Sequence, residues 1–388
     1  MKSIFHKTVL ITRFPYEAIL SGEEWHTITM AESLRTRGWR VIFMGSCPVL
    51  TIEFKKRDFE VHEVWGGTLP VTKPALIVFF LIWPVILLKL LLCFRRIDKI
   101  HSIDSIYMLS LTEKVLMTPV LKYLKKTVLW VEHQRFGKWM YLNPLRYLYT
   151  LLAKKVDVVG VSPMHVDQLK FLKIPKRQLH CITNGIDTDF FSPEGECIRV
   201  PEEAEFVIGT LARYYEDKGL DILIKAFGLL LEAHPKWNVH LVIQGEGPLE
   251  DELKALVMTG KIEKNVHFLI PYTLVPREKT PALYRGMDVC VLPSRAQDPF
   301  GLVAAEAMST ETPTIVTDVC GISVFMKNNE DAIIVPAGSV LALKEAIELL
   351  LSDEDLRKKL GKAGRKTAVE KFSLDRMVGE YEKLLEKE

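Results

Sequence analysis

The sequence predicts an α/β protein made of two Rossmann-like domains that face each other across a cleft. Its 388 residues are about two to three times the length of an ordinary domain, which favours two folding units. Short apolar segments of strand length alternate with segments long enough for a crossover helix, as a parallel sheet requires. This alternation restarts after the polar stretch at residues 191–197, so the pattern occurs twice.

The first domain is expected to open with a strand at residues 8–12, which are apolar and β-branched. A loop containing Pro15 and Gly22 leads to a segment with helical spacing at 25–36, which Gly38 ends. Four more strands are predicted from short apolar runs at residues 40–44, 99–103, 128–132 and 157–162. The natural arrangement for these elements is a mostly parallel, doubly wound sheet.

The second domain repeats this organisation after the polar stretch. Five short apolar strands are predicted at residues 206–210, 240–244, 265–269, 288–292 and 313–317. We place the boundary within residues 192–204, and assign residues 1–195 to the first domain and 196–372 to the second. No short-period repeat is visible, which excludes a solenoid.

The composition is that of a globular protein, with 48% hydrophobic and 26% charged residues. A net charge of only +2 gives no overall basic field, so we expect no nucleic-acid partner. The six cysteines lack Cys-x-x-Cys spacing, which argues against a disulfide framework and a zinc site and indicates a reducing compartment. Since the amino terminus also lacks the pattern of a secretory signal, we expect a cytoplasmic protein.

Residues 75–94 stand out as a nearly uninterrupted apolar segment. A helix of that length would measure about 30 Å, the thickness of a bilayer core. A membrane span would separate the first strands from the rest of their sheet, so two other interpretations are favoured: a crossover helix packed on the sheet, or a helix whose outer face dips into the membrane interface. The basic pairs at residues 95–96 and 154–155 favour the second interpretation, and predict peripheral attachment to the inner face of the cytoplasmic membrane.

Residues 291–308 read as a buried strand, a loop and a helix. Asp298 and Pro299 are expected to begin the helix, because an acidic N-cap followed by proline is a common start. The amides that would then hold phosphate oxygens at the helix start are those of Phe300, Gly301, Leu302 and Val303. Glu306 follows on the same helix, so the two carboxylates would reach different parts of one elongated ligand. Capping of the helix is the alternative role for Asp298.

The pair Asp298 and Glu306 resembles the Glu-x7-Glu signature of the retaining group 1 (family 4) glycosyltransferases of the GT-B fold, with Asp298 in the first Glu position. Four other segments match family elements in order and spacing, at residues 21–22, 184–187, 209–219 and 244–248. The resemblance covers nearly the whole chain. It implies that the final helix, residues 373–388, crosses back to pack on the first domain.

The resemblance also implies roles for individual residues. Arg213 and Lys218 would bind the donor diphosphate, and Glu306 would bind the ribose hydroxyls. Asp298 would contact the transferred sugar, and His133 would lie beside the donor sugar and the acceptor. The physical chemistry agrees, because cations placed at a departing diphosphate stabilise the charge that develops there.

Two glycines complete the predicted site. Gly22 would let the amino-terminal loop close over the phosphates, and Gly245 belongs to a Gly-x-Gly-Pro turn of the donor site. The sequence shows no compact Asp-x-Asp motif or histidine cluster for Mg²⁺, so we expect neither a metal nor another cofactor.

Four positions depart from the family pattern. Glu311 and Ala332 stand where the family usually has glycine, and Cys320 replaces the first residue of a glycine pair. A further acidic family position falls on Val324. These changes concern the shape of the sugar and phosphate pocket.

We therefore expect a retaining glycosyltransferase that moves a sugar from a nucleotide-diphosphate donor to a saccharide or lipid-linked acceptor, with a membrane surface as a further partner. A UDP-sugar 2-epimerase of the same fold is one alternative, although it would need additional acid and base groups in the cleft. A non-catalytic saccharide-binding or scaffold protein is the other.

Overall fold

The computed structural model describes residues 5–14, 22–133, 142–270, 277–296 and 298–387. The chain divides into two compact units, one formed by Met1–Thr183 with Asp375–Glu388 and the other by Asn184–Leu374. Each unit has its own parallel sheet and its own hydrophobic core. This confirms the prediction of two Rossmann-like domains.

The described residues of the first unit form seven strands: β1 (Lys7–Arg13), β2 (Trp39–Gly45), β3 (Glu60–Glu63), β4 (Ser105–Met108), β5 (Thr127–Glu132), β6 (Asp157–Gly160) and β7 (Leu179–Cys181). They build one parallel sheet in the order β3-β2-β1-β4-β5-β6-β7. The central strands β1, β4 and β5 are buried along nearly their whole length. Burial of both faces explains why these strands read as continuous apolar runs in the sequence.

Six helices follow these strands among the described residues: α1 (Gly22–Thr36), α2 (Pro48–Lys56), α3 (Lys73–His101), α4 (Leu111–Tyr123), α5 (Leu145–Ala153) and α6 (Pro163–Leu169). Right-handed crossovers place α3 to α6 on one face of the sheet, and α1 and α2 on the other. A capping box between Ser110 and Glu113 starts α4, whose first two turns are buried throughout. Each of these helices begins at the carboxyl edge of the sheet, because it runs antiparallel to the strands.

The second unit has the strands β8 (Phe206–Leu211), β9 (Val239–Gln244), β10 (Val266–Leu269), β11 (Val289–Leu292), β12 (Thr314–Thr317) and β13 (Ile333–Val335). These form a parallel sheet in the order β10-β9-β8-β11-β12-β13. The helices of this unit are α7 (Leu220–Ala233), α8 (Glu250–Thr259), α9 (Thr280–Arg285), α10 (Leu302–Ser309), α11 (Val340–Ser352) and α12 (Glu354–Phe372).

The last helix, α13 (Leu374–Leu385), belongs almost entirely to the first unit, as predicted. It buries an apolar face that includes Met377 and Tyr381. Its Glu382 accepts hydrogen bonds at 2.7 Å from both Trp39 Nε1 and Arg37 Nη1. The helix is therefore fixed to the end of α1 and the start of β2.

Glu382→Ala should lower the free energy of unfolding of the first unit by about 1 to 2 kcal/mol, because Trp39 loses its acceptor and Arg37 keeps only Asp375 of its two carboxylate partners. Denaturant titration of the purified chain measures this change. Glu386→Ala is the matched control directly after the same helix, since Glu386 forms a partly exposed ion pair with Lys7 and should change the stability by less than about 0.5 kcal/mol. Equal losses in the two variants would contradict the role assigned to Glu382.

Two sequence predictions about the fold are wrong. The strand expected at residues 99–103 is the end of α3 and the turn after it, and the strand itself is Ser105–Met108. The turn forms because Ser102 adopts a left-handed conformation and Asp98 accepts the amide of Ile103. The boundary expected at residue 195 lies at Thr183–Asn184, because the backbone of Ile186 bonds to Phe372 and Leu374 in the second unit.

Candidate functional site

The loops that follow β8 and β11 meet at the carboxyl edge of the second sheet. The strand order reverses at this point, with β9 on one side of β8 and β11 on the other. In open parallel sheets, ligands bind outside the carboxyl ends of the strands at such a reversal. The first loop carries Arg213 and Lys218, and the second carries Asp298. The structure thus brings these three predicted site residues to one edge of one sheet.

Lys218 and Asp298 form a tight ion pair between the two loops. Lys218 Nζ lies 2.6 Å from Asp298 Oδ2, and the side chains are only 16% and 12% exposed. Burial alone would lower the pKa of Lys218, but the carboxylate of Asp298 outweighs this effect and raises the pKa. Burial would raise the pKa of Asp298, whereas Lys218 and Arg213, with the amide of Phe300, together hold this pKa below its ordinary value. Both groups are therefore charged at neutral pH.

Arg213 is an exposed cation next to this pair. Its guanidinium carbon lies 4.9 Å from the ring centre of Tyr215. Its charge contributes to the lowered pKa of Asp298, so it lies within electrostatic reach of the pair. Among the residues that the structure describes, no carboxylate forms a salt bridge with Arg213. The loop therefore presents a cation whose charge is available to an anionic ligand.

Asp298 does not begin the following helix, contrary to the sequence prediction. The helix α10 begins at Leu302 with Gly301 as its N-cap, and Gly301 has a φ of 103° that interrupts any earlier helical turn. Asp298 instead forms a backbone bridge with Cys320, and its carboxylate accepts the amide of Phe300 at 3.2 Å. Asp298 and Glu306 therefore do not lie on one continuous helix, and helical spacing does not give the distance between their carboxylates.

The start of α10 still offers free amides. The amide of Phe300 is occupied by Asp298, but those of Leu302 and Val303 have no acceptor among the described residues. Free amides at a helix start favour anions, because the helix dipole is positive there. The structure thus removes the amide of Phe300 from the four amides that the sequence predicted to bind an anion.

Glu306 is buried on α10 and is held by two partners that the sequence analysis did not identify. Tyr284 donates its hydroxyl to Glu306 Oε2 at 2.8 Å, and Arg277 Nη2 lies 3.4 Å from Oε1. Burial and the charge of Glu306 raise the pKa of Tyr284 well above its usual value. An isolated Tyr and an isolated Arg form no motif in a sequence. Only the structure reveals them, because α9 and the turn before it pack against α10.

Gly245 supports the loop that carries Arg213. A Cβ atom at Gly245 would lie 1.9 Å from the carbonyl oxygen of Ala212, so only glycine fits there. Gly22 is the first residue of α1, and the loop before it, residues 15–21, lies outside the described residues. Closure of that loop over phosphates stays a prediction.

The four departures from the family pattern have different structural contexts. Glu311 has a φ of 61°, a left-handed conformation that glycine adopts freely and that costs another residue about 1 to 2 kcal/mol. Cys320 is buried beside Asp298, and burial raises the pKa of its thiol to about 11. Val324 is exposed, whereas Ala332 is buried.

His133 lies in the first unit, directly after β5. Its ring centre is 4.4 Å from that of His26, whose Nε2 lies 3.2 Å from the hydroxyl of Tyr107. Burial lowers the pKa of His133 well below its usual value, and the charges of Arg13 and Lys114 lower it further. His133 is therefore a neutral imidazole at the carboxyl edge of the first sheet.

A buried polar network lies directly beneath His133. Lys114 Nζ donates to Glu132 Oε1 at 2.6 Å and to the carbonyl oxygens of Leu109 and Val131 at 3.1 and 2.9 Å. Tyr149 on α5 donates its hydroxyl to the same Glu132 oxygen at 2.6 Å. The network therefore ties the ends of β4 and β5 to the helices α4 and α5.

Two family models match the chain, one for each half. The model described as "Glycosyltransferase Family 4" matches residues 20–190, and that described as "Glycosyl transferases group 1" matches residues 198–367. The chain belongs to the group 1 glycosyltransferase family. The resemblance of its motifs to this family is thereby confirmed.

The chain aligns with only part of the length of its curated relatives. An uncharacterised glycosyltransferase of Methanocaldococcus jannaschii is 32% identical over 248 residues, which cover 62% of this chain and 61% of the relative. The capsular polysaccharide biosynthesis glycosyltransferase CapM of Staphylococcus aureus is 36% identical, over 43% of this chain and 42% of the relative. The mannosylfructose-phosphate synthase of Agrobacterium fabrum is 34% identical, over 41% of this chain and 37% of the relative.

Solved structures match the glycosyltransferase over its whole length. A glycosyltransferase from Rickettsia africae superposes with a TM-score of 0.81 at 20% identity, covering 99% of this chain and 100% of the other. Anabaena HepE in complex with UDP superposes with a TM-score of 0.79 at 17% identity, covering 98% and 99%. These similarities show that the glycosyltransferase has the GT-B fold.

Glu113, the capping residue of α4, should make the stability of the glycosyltransferase depend on pH. Burial raises the pKa of Glu113 from 4.5 to about 7. The folded state therefore binds this proton more tightly than the unfolded state, and its contribution to stability is lost as the pH rises from 4.5 towards 7.

Glu113→Gln cannot ionise, so its free energy of unfolding should not show this decline of at most about 3 kcal/mol. Denaturant titrations at several pH values compare the parent with this variant. The control Glu345→Gln changes an exposed carboxyl and should keep the parental pH dependence. Parallel pH curves for the parent and Glu113→Gln would contradict the assignment.

Proposed function

We propose that this glycosyltransferase transfers a sugar from a nucleotide-diphosphate donor to an acceptor hydroxyl with retention of configuration at the anomeric carbon. The observation that carries the proposal is the cationic edge of the second sheet. There Arg213, which forms no salt bridge with a described residue, lies beside the Lys218–Asp298 pair, on the loop adjacent to the free amides of Leu302 and Val303.

The donor diphosphate is proposed to bind to Arg213, Lys218 and these two amides. Charge grows on the diphosphate as the sugar leaves, so cations and amides at this position stabilise the transition state more than the bound substrate. Because these groups can neutralise the leaving charge, the proposal requires no metal or other cofactor. Among the described residues, no group of three or more His, Cys, Asp or Glu could hold a metal ion.

The two carboxylates are proposed to bind hydroxyl groups at different parts of the donor. Glu306, oriented by Tyr284 and Arg277, would accept hydrogen bonds from the ribose. Asp298, kept ionised by Lys218, would accept hydrogen bonds from the transferred sugar. Anabaena HepE, which shares the fold, is known in complexes with UDP and with UDP-glucose, which supports a nucleotide sugar as donor.

The chemical step is proposed to occur on one face of the sugar. The bond between the anomeric carbon and the diphosphate oxygen breaks with its electron pair on that oxygen. The acceptor oxygen bonds to the same face, and its proton passes to the departing phosphate. The neutral imidazole of His133 would contact the donor sugar and the acceptor without exchanging a proton with them.

The acceptor is proposed to be a saccharide or a lipid-linked saccharide. The match to CapM, a capsular polysaccharide biosynthesis enzyme, supports a saccharide acceptor. We place the reaction in the cytoplasm, and the six free cysteines support such a reducing location.

Incubation of the purified chain with UDP-, GDP- and ADP-sugars tests the proposal. We expect slow hydrolysis of one donor, detected by NMR of the released sugar, with an initial product of the donor's own anomeric configuration and unchanged rates in EDTA. A product inverted at carbon 2 would support the epimerase alternative. Tight donor binding without any turnover would support a non-catalytic saccharide-binding protein.

A further inference from the structure

The longest helix, α3, has an apolar outer face that no described part of the chain covers. Its inner face packs into the core of the first unit through Phe79, Ile86, Leu90, Phe94 and Ile97. On the opposite face, exposed apolar side chains recur every three or four residues: Ile77, Leu81, Val85, Leu88 and Leu92. A continuous exposed apolar stripe of this kind marks an interaction surface.

The amino-terminal half of α3 is more exposed than the rest of the helix, since Phe79 is the one buried residue within residues 73–85 and Leu76 and Ile82 are only partly buried against the core. The helix has 29 residues and is about 43 Å long, whereas the longest strands beneath it have seven residues and measure about 23 Å. The carbonyl oxygen of His101, at the end of α3, accepts a hydrogen bond from Thr8 at the start of β1, so it is the amino-terminal end of α3 that extends past the sheet, at the carboxyl edge. His133 lies at this same edge.

The helix α5 adds a second exposed apolar face. Its Tyr147 is 72% exposed and its Leu151 is 56% exposed, and Leu142 just before the helix is 84% exposed. Both α3 and α5 pack on α4, and Asn143 Nδ2 donates to the carbonyl oxygen of Pro70 at 2.6 Å. The outer faces of α3 and α5 thus form one surface, which we call the apolar layer.

Positively charged residues lie at the carboxyl-terminal end of the apolar layer. Arg95 and Lys99 follow Leu92 at the same spacing of three and four residues, so they extend the stripe on the outer face of α3. Arg96 and the exposed pair at residues 154–155 lie at the carboxyl-terminal ends of the same helices. An apolar stripe followed by cations matches a surface of acyl chains and anionic headgroups, with which the arginines and lysines can pair.

We propose that the apolar layer docks the first unit on an anionic lipid bilayer, with α3 lying in the interface. By length and composition α3 could cross a membrane, and it is the one helix among the described residues that could. Crossing would, however, withdraw Ile86, Leu90 and Phe94 from the core of the first unit, where they are fully buried. The helix therefore binds along the surface.

Docking in this orientation places the carboxyl edge of the first sheet next to the lipid surface. This part of the inference rests on the proposed function, and it narrows the acceptor to a lipid-linked one that reaches His133 from the bilayer. A soluble saccharide would gain nothing from such an arrangement.

Cosedimentation of the full chain with vesicles tests the docking without any donor. Vesicles of equal parts phosphatidylglycerol and phosphatidylcholine should bind the chain, and pure phosphatidylcholine should bind it more weakly. The variant Leu81→Gln/Leu88→Gln/Leu92→Gln should lose at least about tenfold in affinity. Arg95→Gln/Lys99→Gln should lose about fivefold for each cation, and high salt should have a similar effect.

Leu341→Gln is the matched control, because Leu341 is 64% exposed but lies in the second unit. Its vesicle binding should equal that of the parent. Unchanged binding by the triple variant, or resistance of the bound parent to alkaline carbonate, would overturn surface docking, the latter in favour of a span. A parent that is dimeric in light scattering, with a monomeric triple variant, would assign the layer to a second copy of the chain.

Donor hydrolysis in solution separates this inference from the proposed function. The triple variant should hydrolyse the donor at the parental rate, since its substitutions lie outside the donor site. Vesicle binding without donor hydrolysis would support membrane docking and contradict the proposed enzymatic function. Donor hydrolysis without vesicle binding would support the enzymatic function and contradict membrane docking.

Discussion

Arg213→Ala should lower kcat/KM by about one to two orders of magnitude while leaving the fold intact. Arg213 is exposed and has no salt-bridge partner among the described residues, so its removal leaves no buried charge behind. In the proposed mechanism its charge acts mainly on the diphosphate that forms as the glycosidic bond breaks, and a charged hydrogen bond is worth roughly 1.5 to 3 kcal/mol. Most of the loss should therefore appear in kcat.

Steady-state kinetics with the identified donor measure the effect. Lys225→Ala, an exposed lysine on α7, is the control and should keep the parental rate. Lys218→Ala should reduce kcat/KM to a similar degree, and the double variant should lose less than the sum because both cations are proposed to bind one anion. Glu306→Gln should mainly weaken donor binding. If Arg213→Ala turned over the donor at the parental rate, the proposal that Arg213 binds the donor diphosphate would be wrong.

Lys114→Met should destabilise the first unit by about 3 to 5 kcal/mol, the largest loss of stability expected from the substitutions considered. The lysine side chain is only 1% exposed, and its removal strands the buried carboxylate of Glu132 with Tyr149 as its remaining partner in the network. An uncompensated buried charge costs far more than a broken surface pair. Denaturant titration should therefore show a large shift of the midpoint.

The double variant Lys114→Met/Glu132→Leu should recover much of this loss, because it removes the stranded charge together with its partner. Lys126→Met is the control, since the pair of Lys126 with Asp98 is partly exposed and should contribute about 1 kcal/mol. If Lys114→Met and Lys126→Met were equally stable, the network beneath His133 would contribute no more to stability than a partly exposed ion pair.

The central strands were predictable because burial on both faces leaves an uninterrupted apolar run, as at residues 8–12 and 128–132. The short edge strands β3, β7 and β13 were missed, since three or four residues with partial exposure leave no such run. The error at residues 99–103 arises because a short segment that contains Ile100 and Ile103 can be read either as a strand or as the end of a helix.

The candidate site was predictable where a motif fixes order and spacing, as for Arg213, Lys218 and Glu306. The local geometry was not, because Asp298 followed by proline suggests a helix start by propensity alone. The left-handed Gly301 and the bridge from Asp298 to Cys320 override that propensity, and both depend on contacts with distant residues. Tyr284 and Lys114 were missed for the same reason.

The first unit is assembled from both ends of the chain, and the second unit is inserted between Thr183 and Asp375. A ribosome makes the chain from its amino terminus, so the second unit, continuous in sequence, is the first that can be completed. Until residues 375–387 have been synthesised, the surface of α1 and β2 that receives Tyr381 and Glu382 stays exposed. Chains that stop before residue 375 would expose this surface to chaperones and proteases.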